Sequence, residues 1–503
     1  MNSVYQKEVG DMHRKRTFWL ASVTLAVVTA VFVLEGCGGG GGPLTPPTNG
    51  GTPSPTTRFT ELLPPAQKDA TYVGTQQCLG CHGAGHRQAG AEPVAVAWQK
   101  TKHAQVNVGC QQCHGPGSKH VQEPVKDNIL TYPNVASSEV CAQCHGTVAA
   151  HYEQSGHAGA VEPVVQMAEN NPNVYGKNCF RCHSAPFRNQ MVDNPVTYGQ
   201  SRDAIDGAIQ AMSADSIAKI ARATRESASC VSCHDPHRIT GNLSWQGKEL
   251  QLRHAVLNTD TTDIAPGTPV KQHTTVNQIC GSCHNGRGGN PSDTALNTGT
   301  ARVNFHYSNQ YNMLMGITGV EEQPGPITRY TAHATAPGQC THCHMGNSRH
   351  TFTVSYDTGC TPCHTAADAA ARTQVTKSQT EQALLALRSR LRTWAQQTFG
   401  DPDLWNYTAY IQELGKTPPP QAQVPIEVKR ARHNYYFILN DKSLGVHNPA
   451  YTRYLLEVAN ANLDRLGVGA ASRAAVSLSP AQRRGILEAD LQQQRRAARN
   501  AVD

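Results

Sequence analysis

Hydrophobic periodicity is clearest in the last part of this 503-residue chain. Apolar side chains recur near helical spacing over residues 379–397, at Leu384, Leu385, Leu387, Leu391 and Trp394. A stripe at this spacing predicts an amphipathic helix. Residues 426–440, 449–466 and 480–501 are patterned as helices too, and the last two begin with a proline, which suits a first helical turn. We therefore predict a helical C-terminal region, residues 366–503, that packs on the rest of the chain.

The N-terminal pattern is of a different kind, a basic cluster followed by an unbroken apolar run. His13, Arg14, Lys15 and Arg16 precede the apolar residues 17–34, and Gly36 and Cys37 follow at the spacing of a lipoprotein cleavage box. This predicts a signal peptide, residues 1–36, and a lipid on Cys37. The alternative is an uncleaved membrane anchor, because the run is close to the shortest spanning length. Residues 37–70, rich in Gly, Pro and Thr, predict a tether, and no later segment is apolar enough to span a bilayer.

Between these regions, the pattern Cys-x-x-Cys-His occurs eight times. Numbered 1 to 8 in chain order, the motifs are Cys78/Cys81/His82, Cys110/Cys113/His114, Cys141/Cys144/His145, Cys179/Cys182/His183, Cys230/Cys233/His234, Cys280/Cys283/His284, Cys340/Cys343/His344 and Cys360/Cys363/His364. In this spacing each thiol can form a thioether to a haem vinyl group, and the imidazole can ligate the iron. A zinc ribbon, the alternative, needs two cysteine pairs around one ion and no histidine after each pair. The motifs use 16 of the 17 cysteines and leave Cys37. We therefore predict eight covalent haem c groups, each with its iron.

Composition and motif spacing together predict the fold class. Hydrophobic residues make up 38% of the chain and aromatic residues 6%, which is lean for a chain of this length. Eight apolar macrocycles would supply the missing core surface. The first cysteines of successive motifs are 20 to 60 residues apart, and most of these intervals are too short for independent domains. We expect one haem-organised array over residues 71–365, mainly α with extensive loops and very little sheet.

The formal net charge of +7 does not indicate a nucleic-acid partner. Residues 1–36 contribute about +1, and residues 371–503 alone carry roughly +7. Eight haems would add about −16 in propionates, offset by about +8 when every iron is ferric. The assembled protein is then expected to be near neutral when oxidised and acidic when reduced.

The length of chain between two histidines restricts which of them can be the second axial ligand of each haem iron. Two axial ligands must approach opposite faces of one macrocycle. His237 lies three residues after His234, and three residues span at most about 10 Å. We therefore expect His237 to ligate a neighbouring haem. The same argument applies, less strictly, to His120 after motif 2 and to His350 after motif 7.

Several short blocks around the motifs carry a family resemblance. They are Trp98-x-x-Thr101-x-His103-Ala104, Tyr152-Glu153-x-Ser155-x-His157-Ala158, the run from Cys113 to His120, His333 before motif 7, and the run from Gly445 to Pro449. Their order resembles the multihaem cytochrome c superfamily that includes pentahaem nitrite reductase, octahaem hydroxylamine oxidoreductase and the tetrahaem electron carrier of nitrifiers. It is also similar to the surface lipoprotein cytochromes of metal-reducing bacteria.

The resemblance implies a set of distal iron ligands that would make the haems bis-histidine. These are His103, His120, His157, His237, His306, His333, His350 and His447. Six further histidines are reserves, with a propionate contact or a solvated surface as the alternative for each: His86, His151, His254, His273, His342 and His433.

Two functions remain open, and the motif set favours the first. It is electron transfer, single electrons passing along eight haems in extracellular or periplasmic respiration to other cytochromes or redox carriers. The alternative is an octahaem oxidoreductase acting on nitrite, hydroxylamine or a sulfur oxyanion at one iron with an open position. Reductases of the family often carry a Lys-ligated CxxCK motif, and here all eight motifs end in His, so no catalytic residue is predicted. Hydroxylamine oxidoreductases, however, use CxxCH at the active haem.

The expected location follows from the N-terminal pattern. We expect an exported protein held by a lipid on Cys37, with the outer membrane, at its periplasmic or cell-surface face, as the favoured site. Self-assembly into a haem filament is a further possibility that the number of histidines permits and nothing in the sequence requires.

Overall fold

Short helices joined by long loops make up the N-terminal and central parts of the molecule. The computed structural model describes residues 57–83, 92–197, 200–223, 225–254, 279–286, 292–298, 307–322, 331–347, 349–361, 363–469 and 478–500. The predicted signal peptide and Cys37 lie outside these residues, as does the predicted tether up to residue 56. From residue 57 that segment forms the helix Thr57–Leu62, whose Phe59 is buried with Leu63, Leu130 and Val140.

The α-helices before residue 366 are mostly one to three turns long. They are Thr57–Leu62, Thr75–His82, Val94–Trp98, Lys102–Gln105, Cys110–His114, Ser118–Gln122, Ser138–Ala142, Gly146–Glu153, Glu162–Asn170, Pro172–His183, Ala185–Arg188, Asn194–Thr197, Arg202–Gln210, Ala214–Ala223, Asp293–Thr298, Gln310–Met315, Ala332–Thr335, Cys340–His344 and Tyr356–Gly359. A π-helical turn, Asn189–Asp193, continues the helix Ala185–Arg188. The 3₁₀ turns are Pro65–Gln67, Lys126–Asn128, Asn134–Ala136, Cys230–Ser232, Ile279–Ser282, Pro402–Asn406, Ala409–Leu414 and Gln421–Gln423.

Four longer helices form the C-terminal region: Ala366–Phe399, Ile426–Asp441, Pro449–Arg465 and Pro480–Asn500. The last three agree closely with the predicted segments. The first begins at Ala366, earlier than the predicted residue 379, because the Thr365 side chain accepts a hydrogen bond from the Asp368 backbone N–H and caps the start. The added turns carry alanines and polar residues, which favour helix without making an apolar stripe.

Larger apolar cores stabilise the C-terminal helices and, separately, the helices of residues 161–221. The larger core joins the C-terminal helices through fully buried side chains that include Leu384, Leu391, Tyr435, Tyr436 and Tyr451. A second core lies within residues 161–221, where Gly176 lets two helices approach. A Cβ at Gly176 would lie 1.8 Å from Cγ2 of Ile217. Residues 51–503 form one compact unit.

The predicted fold class is confirmed. The molecule is mainly helical, and within the described residues β pairing is limited to an isolated bridge between His234 and Leu252. In the same part of the chain, no helix combines the length and the apolar character needed to cross a membrane.

Candidate haem-binding site

Each Cys-x-x-Cys-His motif folds as a tight helical turn. In motifs 3, 6 and 8 the histidine backbone N–H donates to the carbonyl of the first cysteine, at 2.9, 2.8 and 3.0 Å. Side chains three positions apart on such a turn lie on one face, so both thiols point the same way with the imidazole beside them. The sixteen motif cysteines are all described and form no disulfide. The local backbone therefore presents two thiols and one imidazole to a single ligand.

The motif cysteines are not all in the same surroundings, although the sequence assigned them the same role. Three of them are exposed, Cys81, Cys144 and Cys363, whereas the other thirteen are half-buried. Each exposed residue is the second cysteine of its motif. Cys81 and Cys363 belong to motifs 1 and 8, at the two ends of the motif region, and Cys144 belongs to motif 3. Eight identical motifs suggest that all the cysteines are equally buried, and at these positions the structure differs from that expectation.

The exposed cysteines still belong to turns that are otherwise half-buried. Cys81 and Cys363 each lie three positions after a half-buried cysteine of the same turn, Cys78 and Cys360. Burial, reinforced by Cys360 and then Cys363, raises the pKa of Cys343 to about 11, so Cys363 lies beside motif 7. A haem vinyl group attached at Cys81, Cys144 or Cys363 would meet more solvent than one attached at a half-buried cysteine. Thioether bonds at these cysteines stay a prediction. If they form, one edge of each haem lies near the surface.

Seven of the eight motif histidines face a second histidine. The ring centroids are separated by 6.3 Å for His82 and His120, 6.1 Å for His114 and His237, 6.2 Å for His145 and His103, 6.4 Å for His234 and His350, 5.9 Å for His284 and His157, 6.4 Å for His344 and His447, and 6.5 Å for His364 and His333. Two metal–imidazole bonds of about 2 Å each would hold two ring centroids roughly 6 Å apart. Every pair thus has the spacing that one shared metal ion requires.

The second member of each pair belongs to the distal set named from the sequence. His237 faces His114 of motif 2 instead of the adjacent His234. Likewise His120 faces motif 1 and His350 faces motif 5, so neither faces the motif that it follows. The eighth expected distal ligand, His306, lies outside the described residues. The structure thus brings together seven of the predicted distal histidines with seven motifs.

Hydrogen bonds at Nδ1 orient several of the motif histidines and of the histidines that face them. Nδ1 donates to a backbone carbonyl oxygen in His114 (Leu130, 2.9 Å), His120 (Val125, 3.0 Å), His183 (Ala160, 2.7 Å), His234 (Leu250, 2.8 Å), His333 (Val446, 2.8 Å) and His344 (Phe352, 2.8 Å). A carbonyl can only accept, so Nδ1 carries the proton and Nε2 keeps its lone pair. This is the arrangement in which Nε2 serves as a metal ligand and the partner at Nδ1 fixes the ring.

Burial keeps several of the facing imidazoles neutral. Desolvation, reinforced by the paired histidine, lowers the pKa of His157 to about 4 and that of His237 to about 4. Desolvation also lowers the pKa of His234 to about 4, although its hydrogen bond to the Leu250 carbonyl acts in the opposite direction. A metal ligand must be deprotonated at the coordinating nitrogen, so this environment favours binding.

Two rings donate to carboxylates instead of carbonyls. His447 Nδ1 lies 2.6 Å from Oδ1 of Asp441, and His364 Nδ1 lies 3.1 Å from Oδ2 of Asp368. Sequence reasoning missed both carboxylates. Asp368 lies four residues after His364, in the first turn of a helix that was predicted to begin only at residue 379, whereas Asp441 reaches His447 through the turn that links two helices.

Thiols of different motifs lie side by side, which relates the motifs in space. Hydrogen bonds join four thiol pairs: Cys78 with Cys110, Cys141 with Cys230, Cys280 with Cys340, and Cys182 with Cys283. Electrostatic interactions relate three further pairs of motifs, for example through Cys113 and Cys144, Cys233 and Cys280, and Cys343 and Cys360. In each haem-loaded motif these sulfurs would be thioethers on the macrocycle edge. The contacts run in the order 1, 2, 3, 5, 6, 7, 8, with motif 4 joined to motif 6.

A buried charge cluster lies where motifs 4, 5 and 6 meet. Arg188 Nη2 is 3.3 Å from Oδ1 of Asp193, and Arg253 Nε is 3.7 Å from the other oxygen of that carboxylate. Arg253 also pairs with Asp235, at 3.4 Å. Arg188 Nη1 lies 3.5 Å from the Cys283 sulfur. The π-helical turn Asn189–Asp193 sets the spacing between Arg188 and Asp193, and such turns are frequent at functional sites.

The described reserve histidines have other surroundings. His254 Nε2 donates to the Thr240 carbonyl at 2.8 Å, and His433 stacks on Phe437 inside the C-terminal core. Burial lowers the pKa of His433 to about 3. His151 lies on the helix Gly146–Glu153 and His342 within motif 7. His86 and His273 lie outside the described residues.

Several known proteins match parts of this chain. The family described as Cytochrome c554 and c-prime matches residues 60–115 and 140–207. C-type polyheme cytochrome OmcB of Geobacter sulfurreducens is 23% identical over 298 residues, 54% of this chain and 36% of that protein. C-type polyheme cytochrome OmcC of the same species is 28% identical over 123 residues, 22% of this chain and 14% of that protein.

Two solved structures align over most of the chain. An undecaheme cytochrome from the S-layer of Carboxydothermus ferrireducens has a TM-score of 0.44 and 18% identity, covering 81% of this chain and 56% of that one. The outer cell wall cytochrome OcwA has the same TM-score and identity, covering 71% of this chain and 70% of that one.

By these matches and its motifs the chain is similar to the multihaem c-type cytochromes, proteins with covalently bound haem c. Within that class it is related to OmcB and OmcC of Geobacter sulfurreducens. The chain spans only about a third of the length of OmcB.

Proposed function

We propose that the protein is an electron carrier with eight covalent haems, seven of them ligated by the histidine pairs described above. The observation that carries this proposal is the spacing of those pairs, 5.9 to 6.5 Å between ring centroids. Haem c, when bound, accepts and returns one electron at its iron. The chain's own residues attach the macrocycle through two sulfurs and orient two imidazoles on the iron. For motif 4, whose His183 is oriented by the Ala160 carbonyl, His306 is the proposed second ligand.

The thiol contacts support an order for the electron path. We infer a main path through motifs 1, 2, 3, 5, 6, 7 and 8, because the thiols of each successive pair of motifs are hydrogen-bonded or interact electrostatically. Motif 4 joins this path at motif 6 through Cys182 and Cys283. Motifs 1, 4 and 8 are then the three ends where electrons enter or leave. Cys81 and Cys363 are exposed, which supports access of a partner to motifs 1 and 8, and the exposed Cys144 gives the same access at motif 3.

Other cytochromes or soluble redox carriers are the proposed partners. The proposed location is the cell envelope, with the chain held by a lipid on Cys37. The support is the basic and apolar leader with Cys37 at its end, together with the attachment of haem c outside the cytoplasm. The outer membrane remains the favoured site.

A haem count and a spin-state measurement test the proposed function. Mass spectrometry of the mature chain should give eight attached haems. The electron paramagnetic resonance spectrum of the oxidised protein should contain low-spin signals that do not change when nitrite or hydroxylamine is added. A high-spin haem that binds nitrite would overturn the carrier function in favour of a reductase. A count below eight would show that some motifs are not loaded.

The angles between paired rings predict two kinds of low-spin signal. The rings are near parallel in three pairs, at 17° for His82 and His120, 20° for His114 and His237, and 35° for His234 and His350. They are near perpendicular in three others, at 77°, 73° and 77° for the pairs of motifs 3, 6 and 8. Parallel imidazoles split the iron d orbitals strongly, and perpendicular imidazoles leave two of them nearly degenerate.

The expected spectrum therefore has a rhombic component and a strongly anisotropic component with a much larger highest g value. His120→Ala should reduce only the rhombic component, and His333→Ala should reduce only the anisotropic one. A spectrum with a single rhombic species would contradict the ring angles.

A further inference from the structure

A buried carboxylate lies against one of the proposed iron ligands. Asp441 ends the helix Ile426–Asp441, and its side chain is 0% exposed. One oxygen accepts a hydrogen bond from His447 Nδ1 at 2.6 Å, and the other accepts one from the Ser443 hydroxyl. Ser443 Oγ in turn accepts the His447 backbone N–H at 3.1 Å. The carboxylate and the imidazole are therefore held to each other by three linked hydrogen bonds.

The turn that carries these residues has little freedom. Lys442, Leu444 and Gly445 have positive φ angles of 62°, 51° and 90°. A Cβ at Gly445 would lie 2.8 Å from Oγ1 of Thr380 on the long helix Ala366–Phe399, so the turn packs there as only glycine permits. The position of Asp441 relative to His447 is thus set by the backbone and by the C-terminal helices.

The same turn also contacts the second histidine of motif 8. The Val446 carbonyl accepts a hydrogen bond from His333 Nδ1 at 2.8 Å. Two neighbouring motifs therefore receive different partners from one turn. His333 receives a neutral carbonyl, and His447 receives a charged carboxylate.

Asp368, the other carboxylate beside a paired ring, is in a weaker position. Its side chain is 40% exposed, and both oxygens also accept from Arg372 Nε, at 2.8 and 2.7 Å. Solvent and the guanidinium screen its charge. The structure thus sets one desolvated negative charge against the ligand pair of motif 7.

We propose that Asp441 is a positioning residue that lowers the reduction potential of the motif 7 haem. This inference rests on the proposed function, in which His344 and His447 hold that haem. A carboxylate that accepts from Nδ1 increases the electron donation of Nε2 to the iron. Its charge also favours the ferric state, which carries one more positive charge than the ferrous state, and low local dielectric strengthens both effects. Electron transfer from motif 6 to motif 7 then becomes less favourable, and transfer from motif 7 to motif 8 more favourable, than it would be without the Asp441 charge.

The test is an Asp441→Asn variant of the haem-loaded chain, titrated potentiometrically and followed by electron paramagnetic resonance. Asn keeps the shape and an accepting oxygen but removes the charge. We expect the ratio of ferric to ferrous motif 7 haem, at a given applied potential, to fall at least tenfold. This corresponds to a rise in its reduction potential of about 59 mV or more. Its low-spin signal should persist. Asp441→Glu, which keeps the charge, should leave the potential nearer that of the unmodified protein.

Asp368→Asn is the matched control, because it removes an exposed and already screened charge from the neighbouring pair. Its effect should be clearly smaller. The motif 7 signal is identified by its loss in His447→Ala. If Asp441→Asn keeps all potentials unchanged, or converts the haem to high spin, the inference is wrong and the proposed function still stands. If His447→Ala leaves every haem low-spin, the ligand assignment in the proposed function is wrong.

Discussion

Replacing His237 by alanine should convert one haem from low spin to high spin, and that haem should be the one held by motif 2. His237 faces His114 at 6.1 Å between ring centroids, so its removal takes away the second axial ligand of that iron. The motif 5 pair, His234 and His350, is separate and should keep its low-spin signal. Electron paramagnetic resonance of the oxidised protein, with resonance Raman as a second measure of spin state, checks the result.

A double variant decides which haem His237 serves. His350→Ala alone should also produce one high-spin haem, that of motif 5. If the two histidines serve different haems, the double variant His237→Ala/His350→Ala gives two high-spin haems. A single high-spin haem in the double variant would mean that both act on motif 5. His254→Ala is the control, because His254 is exposed and bonds to the Thr240 carbonyl; it should leave every signal unchanged.

Removing Asp193 should cost about 3–5 kcal/mol of unfolding free energy, the usual effect of leaving a buried charge without its partner. The side chains of Arg188 and Asp193 are 3% and 2% exposed. Arg253 retains Asp235 in the variant, but the cluster loses the carboxylate that lies between the two guanidinium groups. Burial raises the pKa of Asp193, and both arginines oppose that rise, so the carboxylate depends on them for its charge. Guanidinium denaturation of haem-loaded Asp193→Ala, followed by circular dichroism, measures the loss.

An exposed ion pair supplies the matched control. Glu162 and Arg225 lie 3.2 Å apart with side chains 47% and 54% exposed, so Glu162→Gln should change stability by at most about 1 kcal/mol. Arg188→Met/Asp193→Leu, which replaces both charges by apolar side chains, should recover most of the loss. Equal stability of Asp193→Ala and Glu162→Gln would contradict the importance of the buried cluster.

Much of the fold and the local chemistry could be predicted because the signals are local in sequence. A Cys-x-x-Cys-His motif is complete within five residues, and the helices after residue 426 are marked by their own apolar spacing and starting prolines. The helix Ala366–Phe399 was predicted too short because its first turns carry no apolar stripe. Helix propensity and the Thr365 cap, not amphipathicity, determine where it begins.

Motif spacing alone could not distinguish the exposed cysteines from the covered ones. Cys81 and Cys363 have the same neighbours in sequence as their counterparts in other motifs, a cysteine three positions earlier and a histidine next. Whether such a thiol meets solvent depends on which distant segments pack over its turn. The five-residue pattern therefore predicts the attachment chemistry but not how far each attachment point is buried.

The pairing of histidines is only partly local. His234 and His237 are too close in sequence to ligate the same iron from opposite faces. Nothing near His237 in the sequence, however, indicates that His114 is its partner. That choice depends on how distant segments pack. The groups that accept hydrogen bonds from Nδ1 are harder still to predict from the sequence. Most are backbone carbonyls, such as those of Leu130 and Val446, and any residue type supplies one. The Arg188 and Asp193 cluster likewise forms only when a π-helical turn meets a loop some sixty residues later.

The histidine pairs also have a topological consequence. Once an iron links the two members of a pair, the chain between them becomes a closed loop, as it does between two disulfide-bonded cysteines. The loops overlap in sequence: the one from His82 to His120 overlaps that from His103 to His145, and this overlap continues through every later pair to His447. Cross-links that close long loops lower the entropy of the unfolded chain. Haem attachment would then convert a chain with a lean apolar core into a set of interlocked rings, and the cytochrome would owe much of its stability to its own iron.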